Sequence, residues 1–247
     1  SEILKNSRNK GRTDSGERKT YHRGRRKKKK GGIISTLILI IAIAVFYVSG
    51  YQLYKIFGGY HQGKSEYDKV REVAVHGDDK DEDEFVVDFD ELKKINADTV
   101  GWIRFYPEPS QISYPLVQTT DNDLYLNRTF SANENTVGAI FVNCDNASDF
   151  SDRNTIIYGH RMRDHSMFHD LEKYKDESFW KENPYFYIYT PDGRKLSCHI
   201  YSAGIVKDTS STYLTQFASD EEYQAFLDDT KRAGAYHTGV EVTTDQR

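Results

Sequence analysis

Apolar and polar positions change their period several times along the chain. Residues 1–32 are almost wholly polar, carry Gly11, Gly16 and Gly24, and end in Arg25-Arg26-Lys27-Lys28-Lys29-Lys30 before a glycine pair. Such a segment buries too little apolar surface to offset its chain entropy, so disorder is expected. Ile33 to Val48 then contains no charge, and the run extends to Tyr51. A run of roughly 18–20 residues can cross the hydrocarbon core of a bilayer. Lipid forces it to be a helix, because its backbone groups must bond internally. A cleaved signal peptide is the alternative, but the run is long for one and no small-x-small cleavage site stands out after Val48. Residues 52–84 read as a stalk, with weak helical periodicity over Lys64–Val75 and a solvated charge run from Asp78 to Glu84.

From Phe85 onward the pattern shortens into alternating runs. Asp88 is placed to cap a helix over Phe89–Asn96, with Glu91 completing a capping box. Val100–Phe105 reads as a strand with Trp102 inward, and Ile112–Gln118 as an edge strand, because Pro115 removes a ladder donor. A helical turn over Asn122–Leu126 follows, then strands over Val137–Asn143 and Thr155–Gly159. Ser166–Tyr174 is expected to be a short amphipathic helix with Met167, Leu171 and Tyr174 on one face. Phe186–Tyr189 and Leu196–Ile205 flank Pro191-Asp192-Gly193 as a hairpin. Asp220–Ala233 reads as a helix burying Tyr223, Phe226 and Leu227, and a further strand starts at Val240. Many short strands with a few inserted helices predict a mainly β fold, a barrel with helical additions.

Charge adds a topology. The net charge of −4 conceals a basic N-terminal segment and an acidic remainder. The basic run precedes the apolar span and nothing comparable follows it, so the positive-inside rule places Ser1 in the cytoplasm and everything after Tyr51 outside. Next to a bilayer span, the basic run is expected to meet anionic lipid rather than nucleic acid. Aromatic residues make up 13% of the chain, 18 of them Tyr, which suits pleated surfaces. Cys144 and Cys198 are too few for a disulfide framework and are expected to be free structural thiols.

Candidate chemistry concentrates in Asn154-Thr155-Ile156-Ile157-Tyr158-Gly159-His160-Arg161-Met162. Here an apolar strand ends in a glycine that would permit an unusual backbone turn, and the turn displays a histidine at the strand end. His165 and His169 follow at i,i+4, with Asp164 and Asp170 nearby. A helix would bring both imidazoles onto one face, as zinc requires. No H-E-x-x-H pattern is present, and these residues are expected to be exposed polar groups without a metal.

Asn154–His160, followed by Ser166-Met167-Phe168 and Asp170-Leu171-x-x-Tyr174, closely resembles the histidine segment of class B sortases of Gram-positive bacteria. Phe89–Ile103 resembles the family's opening helix and first strand, and Tyr114–Gln118 with Asp121–Asn127 its next segment. Val137–Phe141 resembles the strand before the histidine, and Glu222–Leu227 the helix that helps separate class B from the smaller class A barrel. The resemblance runs in order over residues 85–247.

It implies a sortase-like β-barrel and a cysteine transpeptidase that uses no cofactor. The enzyme would cleave a sorting signal near the C-terminus of a secreted protein through a thioester. An amine of a cell-wall precursor or of another protein would then resolve the acyl-enzyme. His160 matches the family's catalytic histidine, and Asn122, Leu126, Tyr158, Thr209, Tyr213 and Leu214 match substrate-groove positions. The family's nucleophile lies in a Thr-Leu-x-Thr-Cys segment with an arginine further on. The resemblance places both beyond Arg247, so the barrel is expected to lack its last strands and the 247 residues to be inactive alone. Cys198 in Leu196-Ser197-Cys198 only superficially echoes that motif. The expected organisation is a basic tail over 1–32, a membrane span over 33–51, a stalk over 52–84 and the catalytic domain over 85–247. A non-catalytic surface scaffold on the same barrel is the alternative.

Overall fold

The computed structural model describes residues 31–77 and 84–245; the basic tail and most of the acidic run lie outside the described residues. The chain divides into two compact units, Ser1–Gly50 and Tyr51–Arg247. In the first, helix α1 (Gly31–Ala74) begins. Its side chains from Ile33 to Val48 are exposed, and its most apolar window reaches a mean hydropathy of 2.5. It is long and apolar enough to cross a membrane.

In the second unit, α1 continues to Ala74, and Tyr67, Val70 and Ala74 enter the core. Two short strands, β1 (Val75–His76) and β2 (Val86–Val87), pair antiparallel and lead to α2 (Phe89–Ile95). Asp88 caps α2 by accepting the Glu91 N–H at 2.9 Å. The expected capping box is only half made. The Asp88 N–H donates to Ala74 O, and Glu91 pairs with Lys94 instead.

The remaining strands are β3 (Thr99–Phe105), β4 (Ser113–Val117), β5 (Ile140–Val142), β6 (Ile157–Tyr158), β7 (Tyr185–Tyr189) and β8 (Lys195–His199). They form one mixed, curled sheet, a half-barrel, in the order β6-β5-β4-β3-β7-β8. Only β4 and β5 run parallel. Helices α3 (Glu177–Glu182) and α4 (Asp220–Ala233) complete the unit. The core is aromatic and aliphatic: Leu92, Trp102, Ile112, Leu116 and Ile140 are almost fully buried, and the Trp102 indole N–H donates to Ser113 Oγ at 3.0 Å. Arg104, also buried, lies between the rings of Phe85 and Tyr106, at 4.1 and 4.5 Å.

Four local expectations change. The strand carrying Pro115 is central rather than an edge, with all five residues buried. The ladder absorbs the proline by alternation. Phe105 N–H bonds Ile112 O, so Pro115, paired with Trp102, falls at a non-hydrogen-bonded position toward β3. Pairing with β5 begins only at Leu116, so the missing N–H faces no partner strand. Second, Ser166–Tyr174 is not an α-helix. Positive φ at His165 (65°) and Met167 (57°) turns the chain first, and a 3₁₀ helix runs from His169 to Lys175. Third, β8 stops at His199, and Val240–Thr243 forms no strand; Val240 and Val242 pack on apolar clusters without a ladder. Fourth, α3 was not expected. Its signal was Asp176, which accepts the Ser178 N–H.

Candidate active site

Strand β6 pairs with β5 through Phe141–Tyr158 and Val142–Ile157, and it delivers the chain to Gly159. Gly159 does not have a left-handed φ, contrary to the expected unusual turn. It is a glycine for space: a Cβ there would stand 2.4 Å from Ile140 Cδ1 and 2.6 Å from Phe168 Cδ2. The loop then closes on itself. Phe168 N–H donates to His160 O at 2.9 Å, and Arg161 forms an isolated antiparallel bridge with Met167. His160 therefore stands at the base of a clamped loop, with its backbone fixed from behind.

The ring is fixed from in front. His160 Nε2 lies 2.6 Å from Leu126 O. A carbonyl can only accept, so Nε2 carries the proton and Nδ1 is left to exchange one. Gly138 lies under the ring with a left-handed φ of 67°, and a Cβ on it would stand 2.8 Å from His160 Cδ2. Gly138 O in turn accepts from Tyr67 Oη at 2.8 Å, and that phenol oxygen accepts the Phe130 N–H at 3.2 Å. Burial pushes the Tyr67 phenol far above its ordinary range. A buried tyrosine of α1 thus holds the turn on which the histidine rests.

No protein-family model matches the chain. Sortase B of Staphylococcus aureus is 30% identical over 212 residues, 86% of each chain. The chain belongs to the class B sortase family. Its fold agrees: sortase B from Bacillus anthracis superposes with a TM-score of 0.67 at 32% identity, over 77% of this chain and 88% of that one. A Staphylococcus aureus sortase B–substrate complex superposes at 0.60 with 28% identity, over 80% and 85%. The activity of this sortase family is cysteine transpeptidation.

Of the positions matched to the sortase groove, Leu126 is joined to His160 through its carbonyl. Asn122 and Tyr158 meet neighbouring residues after β5: Asn122 Oδ1 accepts the Cys144 N–H at 2.9 Å, and Tyr158 Oη accepts from Asn143 Nδ2 at 3.1 Å. Tyr213 and Leu214 are well exposed on a 3₁₀ turn, Ser211–Tyr213, capped by Ser210. Asn154 fastens this turn just before β6, donating to Thr212 O at 3.2 Å and Leu214 O at 2.7 Å. Thr209 is exposed ahead of the cap. Tyr67 was not anticipated as part of the site, and Asn154 and Gly138 stood only as members of the strings around His160 and Phe141, without a role of their own.

The two cysteines differ. Cys144 lies just past β5 and is partly buried. Cys198 is on β8, and burial pushes its thiol up to about 11. In the sheet order, β8 and β6 are the two edges, so Cys198 and the strand that presents His160 lie at opposite ends. A cavity of about 590 Å³ is lined by Asn154 and Thr155 before β6, by Leu196 and Cys198 of β8, and by Tyr223 and Phe226 of α4.

Proposed function

We propose that this chain is the anchored body of a sortase that cleaves a C-terminal sorting signal of secreted proteins and joins them to an amine of a cell-wall precursor or a protein. The supporting observation is the His160 ring, held by Leu126 O and Gly138 with Nδ1 left for proton exchange. A cysteine thiolate attacks the signal's carbonyl and forms a thioester, while the imidazolium gives its proton to the leaving amine. The incoming amine then attacks the thioester, the neutral imidazole takes its proton, and the thiolate departs. Asn122, Leu126, Tyr158, Thr209, Tyr213 and Leu214 line the path of the signal.

We read both Cys144 and Cys198 as structural thiols, because neither stands in the family's Thr-Leu-x-Thr-Cys segment. Cys198 lies on β8, the sheet edge opposite the strand that presents His160, and burial raises its thiol rather than activating it. We assign the nucleophile and its arginine to a segment outside these 247 residues, seated between the edges of β6 and β8 that pair with no further strand among the described residues. Ile33 to Tyr51 anchors the protein in lipid, with residues 1–32 cytoplasmic and residues 85–247 outside. The S. aureus sortase B structure is a substrate complex, and the substrate read for this chain is a protein that carries a sorting signal.

The test compares the 247-residue chain with one extended through the downstream cysteine and arginine, using cleavage of a fluorogenic sorting-signal peptide. Only the extended chain should cleave, His160→Ala should abolish cleavage, and Cys198→Ala should leave it intact. A thioester formed on Cys198 by the 247 residues, or a full rate after His160→Ala, would overturn the reading.

A further inference from the structure

We propose that His165, His169 and Asp170 form a binding site for a single Zn²⁺ ion, on the loop that begins at His160. One ligand atom from each residue lies within 4.8 Å of those of the other two. The arrangement is not the helical i,i+4 pair that the spacing suggests. The left-handed backbone at His165 (φ 65°) folds its ring back to 4.1 Å from the ring of His169. Nor are the residues all exposed, as their polarity suggests: His169 is only 7% exposed and Asp170 only 4%.

The buried imidazole points to a cation. His169 Nδ1 is buried and has no hydrogen-bond partner, while Nε2 faces Glu172 Oε1 at 3.4 Å. A polar nitrogen left unsatisfied in the interior is costly. With Glu172 on the Nε2 side, the proton stays on Nε2 and the lone pair on Nδ1, the arrangement in which a carboxylate orients a metal-binding histidine. Glu172 is itself anchored, because Arg161 Nε donates to its Oε2 at 3.1 Å.

Asp170 is oriented in the same way. Lys173 Nζ holds Oδ2 at 3.0 Å, which leaves Oδ1 facing His165 Nδ1 at 3.4 Å. Zinc bonds of about 2.0–2.1 Å set tetrahedral ligand atoms roughly 3.3–3.5 Å apart, so this pair already stands at a ligand–ligand spacing. Two imidazoles and a carboxylate suit zinc, whereas calcium and magnesium prefer all-oxygen shells. His165 has a side chain 69% exposed, so the fourth position opens to water.

The full 247-residue chain, purified without an affinity tag in detergent, is titrated with Zn²⁺ by calorimetry and with Co²⁺ by visible absorption. We expect one saturable ion and a tetrahedral cobalt spectrum. His165→Ala and His169→Ala should each weaken binding at least about tenfold, and Glu172→Gln by about 10–100-fold, the usual range for a group that orients a ligand. His61→Ala and His76→Ala should change nothing. Circular dichroism checks that His165→Ala and His169→Ala both fold. No saturable binding below millimolar Zn²⁺, or affinity unchanged in His165→Ala, overturns the proposal.

Discussion

Gly138 and the imidazole of His160 pack so closely that a methyl group has no room between them: a Cβ on Gly138 would stand 2.8 Å from His160 Cδ2 and 2.9 Å from the carbonyl oxygens of Tyr125 and Leu126. Two of these three neighbours are backbone, so they cannot swing aside. Gly138→Ala also places a side chain at φ 67°. We expect a loss of about 1–3 kcal/mol of stability, the usual cost of a non-glycine residue in a disfavoured conformation. In a chain carrying the nucleophile, a His160 displaced by about 1 Å should lose on the order of 100-fold in rate. Urea denaturation and peptide cleavage measure the two effects. A variant with wild-type values in both would show that the ring does not rest on this turn.

Tyr67→Phe tests the other side of the same turn. The hydroxyl donates to Gly138 O at 2.8 Å and accepts the Phe130 N–H at 3.2 Å, both in buried surroundings. Deleting it strands a buried donor and a buried acceptor, which should cost about 1–3 kcal/mol. The shift is read from the denaturation midpoint. An unchanged midpoint would mean that water replaces the hydroxyl without loss.

The sequence shows which of these features follow from local pattern. Helix α4 was readable to the residue, because Tyr223, Phe226 and Leu227 fall on one face and Ser219 caps it by accepting the Glu222 N–H. The α2 cap and the Asp192-Gly193 turn, with Gly193 at φ 84°, were readable for the same reason. Pro115 misled, because a proline's tolerance in a sheet depends on which side of the ladder it faces, and register is a tertiary property. His160 stood out only through the string around it. Its contact with Leu126 joins residues 34 apart, which no local pattern records. Tyr67 lay in a segment read as stalk, yet it is 7% exposed and bonded to residues about 63 and 71 positions onward.

Cys198 should resist alkylation. Free cysteine titrates near 8.5, whereas burial raises this thiol to about 11. At pH 8 the thiolate fraction, and with it the rate toward iodoacetamide, should fall by roughly 100-fold relative to a free thiol. The shift also fixes the sign of a stability change. The unfolded thiol loses its proton first, so above about pH 8.5 the unfolded chain binds fewer protons and stability declines with rising pH. Tyr125, raised to about 12 chiefly by burial, extends the decline beyond pH 10. Below about pH 7 these groups contribute almost no slope. Rapid labelling of Cys198 in the native chain at pH 8 would contradict the burial of its sulfur.

The proposed topology predicts the outcome of surface proteolysis. Protease added to intact cells should remove residues following Tyr51 and leave the basic tail protected, because the basic run precedes the apolar span. Cleavage of the tail with the catalytic body protected would reverse the orientation.

The two free edges of the half-barrel carry the most demanding prediction. Strand β8 bonds β7 through alternate residues: Thr190 N–H donates to Arg194 O and Ile200 N–H to Pro184 O, with Phe186 opposite Cys198 between them. By that alternation, the N–H groups of Ser197 and His199 point away from β7, toward the side where no strand is paired among the described residues. Unpaired edge amides exchange quickly and template unwanted association. In the 247-residue chain, Ser197 and His199 should exchange like exposed loop amides, and the chain should melt earlier than the extended form. Addition of the downstream cysteine strand should slow these two amides by about tenfold or more, because a paired edge opens only with its sheet. Hydrogen exchange read by NMR gives the answer residue by residue. If the extended chain cleaves its peptide while Ser197 and His199 remain as fast as before, the catalytic segment seats elsewhere, and the gap between β6 and β8 is not its place.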